Sequence, residues 1–352
     1  MRVGIHLEGL RGGHKIRGIG VHTSELFSAI SKLKNKNIKV EEYGPRRKYG
    51  LVHYTVFNPF VISLPFVKPA KKVVLTIHDL IPLIYPKHYP GGLRGNLRFA
   101  LNKFLIRKNV DSIITISQTS KKDICRFLGV APERVHVIYL APREIFKKLP
   151  DNSQLTGVKN KYHLPEKFAL YVGDINYNKN ILNLVKASRL AKLPLVICGK
   201  QAQDIEDYGI DLSTLAGPKD YIRYLFGRPH PELAHYEELA NEFKDANVIR
   251  LGYVSDEDLV KIYNLADVYI QPSFYEGFGL PVLEAVACDC PVVAAKTQAL
   301  VEILGKAATY VDPKNPESIA RGMGSLVKNR KLPRKYSWEK TAAETLKIYA
   351  QI

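Results

Sequence analysis

The feature that most constrains the fold is an alternation of short apolar runs with segments of helical apolar spacing, which continues along almost the whole chain. The runs at 71–77 and 168–172 have the composition of buried strands, whereas 93–110 and 180–190 have the apolar spacing of helices. This alternation is typical of parallel sheets covered by helices. We therefore predict an α/β fold.

The alternation stops at 147–162 and then restarts, and 352 residues correspond to about two domains of ordinary size. We predict a linker there, an amino-terminal domain over 1–150 and a second domain over 160–330. A terminal amphipathic helix is expected within 336–352. Segment 203–244 is long for a connection, which predicts an inserted helical element. In such sheets, ligands bind beyond the carboxyl ends of the strands.

Composition excludes several classes of protein. Hydrophobic residues make up 46% and charged residues 24%, which are ordinary globular values and exclude a disordered chain. Four cysteines without a Cys-x-x-Cys pair argue against a disulfide framework or a structural zinc. The first residues resemble a buried strand and not a signal peptide. The longest apolar stretch, 51–67, is interrupted by His53, Asn58 and two prolines, so no membrane-spanning helix is expected.

The formal net charge is +18, from 52 Lys+Arg and 34 Asp+Glu. It suits nucleic acid, acidic lipid headgroups or phosphorylated substrates, and a solvated lysine-rich surface explains it equally well. Segment 93–108 places basic residues between apolar ones at helical spacing. Such a helix can lie on an anionic membrane. The alternative is a helix packed on the sheet with a solvated basic face. No sequence module supports specific binding of nucleic acid.

The segment with the strongest chemical signal is 273–284. Glu276 stands in a glycine-containing loop, where a carboxylate can accept hydrogen bonds from sugar hydroxyls. A helix is predicted to begin after Gly279, and its N-terminal N–H groups suit a phosphate. Glu284 then lies about one turn into that helix, within reach of a second part of the same ligand. The alternative is an ordinary turn followed by a helix with a glutamate favoured by the helix dipole.

This segment resembles the donor-binding signature of the retaining glycosyltransferases of family 4, which have the GT-B fold. Other motifs of that family are matched along nearly the whole chain except 203–244. The matching segments are Gly18-Ile-Gly20, Thr76-Ile-His78-Asp79-Leu-Ile-Pro82, 114–120, Tyr171-Val-Gly173 followed by Lys179-Asn180, 251–259, 266–268, Val311-Asp312-Pro313 and Tyr336-Ser337-Trp338.

The resemblance implies two Rossmann-like domains facing across a cleft, with the terminal helix returning to the first domain. It implies a retaining transfer of a sugar from a nucleoside-diphosphate sugar to a hydroxyl acceptor, either lipid-linked or a growing glycan. No metal and no other cofactor is expected. In many relatives the first domain binds lipid-linked acceptors. The resemblance therefore implies a cytoplasmic protein that associates peripherally with the inner face of the membrane through 93–108.

The resemblance also implies roles for individual residues. Glu276, Lys179 and His78 would be catalytic: Glu276 would hold hydroxyls of the donor sugar, Lys179 would neutralise the diphosphate leaving group and His78 would face the sugar from the other domain. Glu284 would bind the ribose of the nucleotide. The other expected donor-binding residues are Gly18, Gly20, Gly173, Lys200, Gly277, Phe278, Gly279 and Leu280.

At two positions the sequence departs from the family pattern, so fewer cationic side chains are expected to bind the diphosphate. Asp174 and Asn178 stand where relatives often carry arginine. Lys179 would then act with a basic residue from elsewhere, such as Lys200 or Arg17, unless donor binding is weak. Each of the following residues also has an interpretation without a role in binding. Lys200 would be an ordinary surface lysine, His78 a hydrogen-bonded histidine at a strand end, and Gly18 and Gly20 part of a flexible loop.

Other functions fit parts of the sequence. A nucleotide-sugar epimerase or a phosphorylase would share the GT-B fold. A basic nucleic-acid-binding protein on the same fold would explain the charge. The acidic run 256–258 has the spacing of a metal-binding Asp-x-Asp motif, but it stands in the first turn of a predicted helix, where acidic residues are expected anyway.

Overall fold

In the computed structural model, residues 1–10, 18–33, 35–150, 153–207, 231–244, 247–327 and 331–352 are described. The chain divides into two units. The first comprises Met1–Pro86, Pro90–Ala141 and Lys335–Ile352, and the second comprises Lys87–Tyr89 and Pro142–Arg334. Each unit contains a sheet that, counted over these described ranges, has six strands, all paired in parallel.

The strands of the first sheet are mostly short and apolar, and their order is β2-β1-β3-β4-β5-β6. Their bounds are β1 Arg2–His6, β2 Lys39–Glu42, β3 Leu51–Tyr54, β4 Lys72–Thr76, β5 Ser112–Thr115 and β6 Val135–Val137. The side chains of β3 and β5 are buried throughout, because helices cover both faces of the sheet.

The second sheet has the order β12-β11-β10-β7-β8-β9. Its strands are β7 Ala169–Val172, β8 Leu195–Cys198, β9 Val248–Gly252, β10 Val268–Gln271, β11 Val292–Ala295 and β12 Thr309–Val311. Strands β7 and β10 are neighbours, although β8 and β9 lie between them in sequence. The chain therefore reverses its direction of winding between β7 and β10. This switch point is where open α/β sheets bind ligands.

Helices connect these strands. In the described residues they are α1 Gly18–Lys32, α2 Ile81–Ile84, α3 Gly92–Asn109, α4 Gln118–Leu128, α5 Ser153–Lys161, α6 Ile181–Ala191, α7 Lys200–Gln203, α8 Pro231–Lys244, α9 Asp256–Leu265, α10 Leu280–Ala287, α11 Gln298–Leu304, α12 Pro316–Gly324 and α13 Trp338–Gln351. The sequence predicts helix caps at Ser117 and at Ser255, which is followed by three acidic residues, and both caps are present. The Ser117 and Ser255 hydroxyls accept hydrogen bonds from the N–H groups of Ser120 and Asp258.

The terminal helix α13 packs within the first unit, as the resemblance implied. The Thr341 hydroxyl donates a hydrogen bond to the carbonyl of Tyr139 at 2.7 Å. The Tyr349 hydroxyl lies 2.6 Å from Nδ1 of His53, a fully buried residue of β3. Because both contacts are largely shielded from water, they tie the end of the chain firmly to the first sheet.

The predicted linker at 147–162 is wrong over most of its length, because α5 occupies 153–161. Leu155 and Val158 are both buried, and their spacing places them on one face of this short helix. Two apolar side chains are too few to produce a visible periodicity. The change from the first unit to the second falls earlier, between Ala141 and Pro142.

Helix α3 packs on the core of the first unit through Leu105 and Ile106, but other apolar side chains of the helix face solvent. Leu93, Leu97 and Phe104 are 88%, 72% and 58% exposed. Beside Leu105 and Ile106, the buried face carries Asn102 and Asn109. These amides donate hydrogen bonds to carbonyls of the loop 58–67, including Val61 at 2.6 Å and Pro65 at 2.9 Å. The sequence predicts the helix and leaves both orientations of its apolar residues open; the structure divides these residues between the core and the solvent-facing side.

The predicted insertion at 203–244 ends in helix α8, whose Tyr236 and Leu239 pack in the core of the second unit. The tyrosines at 208, 221 and 224 and Phe226 lie outside the described residues. Of the helices in the described ranges, none has the length and apolar character needed to cross a bilayer.

Candidate functional site

Two loops at the switch point of the second sheet lie side by side. One follows β7 and runs from Gly173 to Lys179, and the other follows β10 from Pro272 to Gly279. The N–H of Phe274 donates to the carbonyl of Asn178 at 2.8 Å. The amide of Asn180 donates to the carbonyl of Pro272 at 2.9 Å. The sheet order therefore brings together two motifs that are far apart in sequence.

The centre of the site is a pair formed by Lys179 and Glu276. Nζ of Lys179 lies 2.9 Å from each carboxylate oxygen of Glu276. Glu276 is buried, whereas part of the Lys179 side chain still reaches solvent. A partly buried ion pair of this kind presents both a hydrogen-bond acceptor and a cation to a ligand.

Alternate residues of β10 and its extension hold the Glu276 carboxylate. The amide of Gln271 and the hydroxyl of Ser273 donate to Oε1 of Glu276 at 2.9 and 2.7 Å. The Tyr269 hydroxyl in turn contacts the Gln271 carbonyl oxygen. Positions 269, 271 and 273 share one face because strand side chains alternate. Gln271 was not predicted from sequence; its polar side chain at the end of an otherwise apolar strand was the available signal.

Gly173 and Gly199 mark a close approach of the β7 and β8 ends. A Cβ added to Gly199 would lie 2.2 Å from the carbonyl oxygen of Gly173, and Gly173 has a φ of +141°. Both features require glycine. Lys200 follows as the first residue of the short helix α7 and is exposed, and no contact joins it to the Lys179–Glu276 pair. The structure therefore leaves the plain-surface alternative for Lys200 in place.

The helix predicted after Gly279 begins at Leu280 with Pro281 in its first turn. Gly279 has a φ of +97°, a conformation that side-chain-bearing residues rarely adopt. Gly277 and Phe278, directly before it, are buried. The helix dipole and the N–H of Leu280 make the start of α10 suitable for an anion. Pro281 has no N–H, and the N–H of Val282 donates to the carbonyl of Gly279 at 3.3 Å.

Glu284 is buried one turn into α10. The Tyr263 hydroxyl donates to its Oε2 at 3.2 Å, and Nη2 of Arg143 lies 3.9 Å from its Oε1. Burial raises the pKa of Glu284 to about 7, and the positive charge of Arg143 opposes that rise. Arg143 was not predicted, because nothing local in the sequence connects it to a residue so distant along the chain.

The two departures from the family pattern have structural roles. The Asn178 side chain donates to the carbonyl of Tyr275 at 3.2 Å and accepts from the Tyr89 hydroxyl at 2.8 Å. It therefore braces the two loops against each other. The backbone carbonyl of Asp174 accepts a hydrogen bond from the Tyr171 hydroxyl at 2.6 Å. Neither residue supplies positive charge.

The acidic run at the start of α9 is engaged in ion pairs. Asp256 accepts two hydrogen bonds from the guanidinium of Arg143, and Asp258 lies 2.7 Å from Nζ of Lys161. The Tyr162 hydroxyl also donates to Asp258. These carboxylates therefore bind cationic side chains of the chain itself.

The remaining predicted residues lie in the first unit. Nε2 of His78, just beyond β4, is 2.9 Å from Nδ1 of His22 on α1. Burial lowers the pKa of His78 to about 4, so its imidazole is neutral at pH 7. The apolar spacing of the sequence predicts a helix from Val21, but α1 begins at Gly18, so Gly18 and Gly20 form its first turn. Arg17 lies outside the described residues.

Comparison with known proteins places these motifs in a family context. Residues 158–342 match the model of the glycosyl transferases group 1, and residues 16–141 match that of glycosyltransferase family 4. The serotype-specific mannosyltransferase WbdA of Escherichia coli is 29% identical over 298 residues, covering 81% of this chain and 34% of that protein. The O-antigen chain mannosyltransferase B of Escherichia coli is 29% identical over 310 residues, covering 79% of this chain and 70% of that protein.

Solved structures support the same fold. The Anabaena protein HepE, in complex with UDP and glucose, is similar with a TM-score of 0.63 and 15% identity, over 100% of this chain and 99% of that one. Sucrose-phosphate synthase from Thermosynechococcus elongatus has a TM-score of 0.63 and 18% identity, over 99% and 98% of the two chains. The chain spans about a third of the WbdA proteins that it matches. With the group 1 model matched over more than half of its length, the chain belongs to the glycosyl transferases group 1 family.

Proposed function

We propose that the chain transfers a sugar from a nucleoside-diphosphate sugar to a hydroxyl acceptor, with retention of configuration and without a metal ion. The observation that carries the proposal is the Lys179–Glu276 pair at the switch point of the second sheet. It places an ammonium group and a buried carboxylate next to a helix N-terminus. A diphosphate and the hydroxyls of a sugar need these groups.

Each group has a defined task in the proposed reaction. Glu276 accepts hydrogen bonds from hydroxyls of the donor sugar, and the carboxylate of Glu284 accepts them from the ribose. Lys179 and the positive end of the α10 dipole, with the N–H of Leu280, stabilise the negative charge that grows on the diphosphate as it leaves. The bond between the anomeric carbon and the phosphate oxygen breaks. The acceptor oxygen bonds to that carbon on the same face, and its proton passes to the leaving phosphate.

The acceptor is proposed to bind at the carboxyl end of the first sheet. His78 has a neutral imidazole there, and its Nε2 contacts Nδ1 of His22 near the start of α1. Relatives named as mannosyltransferases of O-antigen chains support a mannose-type donor sugar and a glycan acceptor. HepE, crystallised with UDP and UDP-glucose, supports a nucleoside-diphosphate donor.

A panel of donors tests the proposal. GDP-mannose, UDP-glucose and ADP-glucose are each incubated with the protein, with and without a mannose oligosaccharide, in the presence of EDTA. Nucleoside diphosphate release that requires the oligosaccharide, with an α-linked product by NMR, supports retaining, metal-independent transfer. Release without acceptor, accompanied by an altered free sugar, supports the epimerase alternative. Binding of unrelated DNA and RNA with no sugar transfer supports the nucleic-acid alternative.

We also propose that the protein works in the cytoplasm at the inner face of a membrane, with α3 on anionic lipid. The outward stripe of Leu93, Leu97 and Phe104 runs along a helix whose charged residues are all basic. No acidic residue occurs in sequence between Asp79 and Asp111. The loop 58–67 accepts hydrogen bonds from Asn102 and Asn109 of α3. It exposes further apolar side chains: Val61, Ile62, Phe66 and Val67.

An anionic bilayer suits this surface better than a protein partner of mixed charge. Apolar side chains enter the acyl boundary while lysine and arginine reach phosphate headgroups. Nζ of Lys108 and Nζ of Lys103 lie over the rings of Phe104 and Phe99, so cationic groups already flank the apolar stripe. A lipid-linked acceptor would be met at the same surface.

A further inference from the structure

Arg143 is the cation that lies nearest to Glu284, and it is held in place by other contacts. Its guanidinium makes two parallel hydrogen bonds to Asp256, with Nη2 2.7 Å from Oδ1. It also lies over the ring of Phe146, 5.0 Å from the centroid. Its side chain is 21% exposed, and Nη2 is 3.9 Å from Oε1 of Glu284. Paired guanidinium–carboxylate contacts fix orientation as well as charge.

The residues that hold Arg143 are connected to Glu284 through Tyr263. Phe146 packs edge-on against Tyr263 with 5.7 Å between ring centroids, and Tyr263 donates its hydroxyl hydrogen bond to Oε2 of Glu284. Asp256 begins α9, the helix that carries Tyr263. One small cluster therefore sets the position of the guanidinium and of the carboxylate together.

We propose that Arg143 is a positioning residue for the donor, which acts by keeping Glu284 ionised and oriented to accept hydrogen bonds from the ribose hydroxyls. This inference rests on the proposed function, in which Glu284 binds the nucleotide. An ionised carboxylate makes hydrogen bonds to hydroxyls that are about twice as strong as those of a neutral acid. Arg143 thus acts on the nucleoside side of the site and not on the diphosphate.

The surroundings of Glu284 explain why it needs a cation. Burial in the second unit favours the protonated acid and raises the pKa of Glu284 to about 7. Arg143 and the hydrogen bond from Tyr263 favour the carboxylate, whereas Asp256 acts against it. Tyr269 and Cys288 also interact with Glu284, and both are neutral because burial raises the pKa of each. Arg143 is the one cation among these partners of Glu284 in the described chain.

Removal of Arg143 is expected to change how nucleotide binding depends on pH. Without Arg143 the pKa of Glu284 rises further above 7, and a larger fraction of the protein carries a neutral acid at neutral pH. Binding of the nucleotide then weakens at pH 7 and recovers as the pH rises past the new pKa. A purely structural role of Arg143 would weaken binding equally at every pH.

Calorimetric titration with UDP, GDP and ADP tests the inference at pH 6.5, 7.5 and 8.5. For Arg143→Leu we expect Kd for the preferred diphosphate to rise about tenfold at pH 6.5 relative to the unaltered protein, with the difference shrinking towards pH 8.5. In transfer assays, KM for the donor should rise while kcat changes little. Arg143→Lys, which keeps the charge but not the paired contact with Asp256, should restore part of the binding.

Glu284→Gln provides the matched background, because an amide cannot ionise. Arg143→Leu added to Glu284→Gln should change Kd no further at any pH. An equal loss in both backgrounds, or a loss independent of pH, would overturn the inference and leave the proposed function standing. If the unaltered protein binds none of the three diphosphates and transfers no sugar, the proposed function fails together with the inference. Circular dichroism and melting curves confirm that each variant is folded.

Discussion

The ammonium of Lys179 is equidistant, at 2.9 Å, from the two carboxylate oxygens of Glu276. Each residue follows a different strand of the second sheet, and the parallel pairing of β7 with β10 brings them together. A ligand that occupies this site must exchange part of the ion pair for its own charged and hydroxyl groups. Phosphate can take over the ammonium, and sugar hydroxyls can donate to the carboxylate, so both partners keep their hydrogen bonds.

Removal of the ammonium tests its role at the leaving group. We expect Lys179→Ala to lower kcat by about 10²–10³-fold, because the charge on the departing diphosphate loses its stabilising partner. Lys179→Arg should retain part of the activity. The matched control is Lys186→Ala, because this partly exposed lysine of α6 makes a long ion pair of 3.9 Å with Glu242. An unchanged kcat in Lys179→Ala would assign the diphosphate to another cation.

Glu276→Gln tests the carboxylate with little change of shape. We expect transfer to fall by at least about 100-fold, because a neutral amide binds hydroxyls more weakly and leaves Lys179 without its anionic partner. The fold should persist, since Gln271 and Ser273 can still contact the amide. Turnover and the far-ultraviolet circular dichroism spectrum are the measurements. Full activity would exclude Glu276 from the site.

The exposed stripe of α3 predicts binding to anionic vesicles. The protein should float with vesicles of phosphatidylglycerol and phosphatidylcholine but not with phosphatidylcholine alone. The triple variant Leu93→Ser, Leu97→Ser and Phe104→Ser should lose flotation. Leu190→Ser is the control, because Leu190 is 54% exposed on α6 of the second unit. Flotation that survives the triple variant, or self-association lost in it, would assign the stripe to another partner.

The close approach of Gly199 to Gly173 predicts a strong effect of one methyl group. Gly199→Ala should lower the free energy of unfolding by about 1–3 kcal/mol, because the new Cβ would meet the carbonyl oxygen of Gly173. Gly157→Ala is the matched control. Gly157 lies in helix α5 with no atom near an added Cβ, so alanine should stabilise by about 0.5–1 kcal/mol. Urea unfolding of both variants provides the comparison.

Buried histidines predict how stability depends on pH. Burial lowers the pKa of His53 to about 3 and that of His78 to about 4. Histidine in the unfolded chain has a pKa near 6.5, so below that pH the unfolded chain binds protons that the folded chain does not. The free energy of unfolding should therefore fall as the pH drops from about 6.5 towards 4. His53→Gln should reduce the slope by about one proton, and an unchanged slope would contradict the assignment.

Much of the fold was predictable, because long apolar runs and capping serines are local signals. The strands at 71–77 and 168–172 and the helix caps at Ser117 and Ser255 are confirmed to within a residue or two. Strand β2, with the sequence Lys-Val-Glu-Glu, was missed because it is a half-exposed edge strand that needs no continuous apolar run.

The site was predictable where its residues form a motif. Glu276 and Glu284 fall on one loop and the following helix, as expected from their spacing. Arg143 and Gln271 were missed because their importance comes from neighbours supplied by other elements. The sequence left the orientation of α3 open for the same reason. Its asparagines bind the carbonyls of the loop 58–67, and no periodicity within the helix reports that loop.

The contact between His53 and Tyr349 joins residues 296 positions apart. During synthesis on the ribosome, residues 142–334 of the second unit leave the ribosome before helix α13 does. The strands of the first sheet are synthesised earlier, but His53 lacks its contact with Tyr349 until α13 has been made. The order of completion is thus the reverse of the order of synthesis, and a nascent-chain protease assay should find the amino-terminal unit vulnerable for longer.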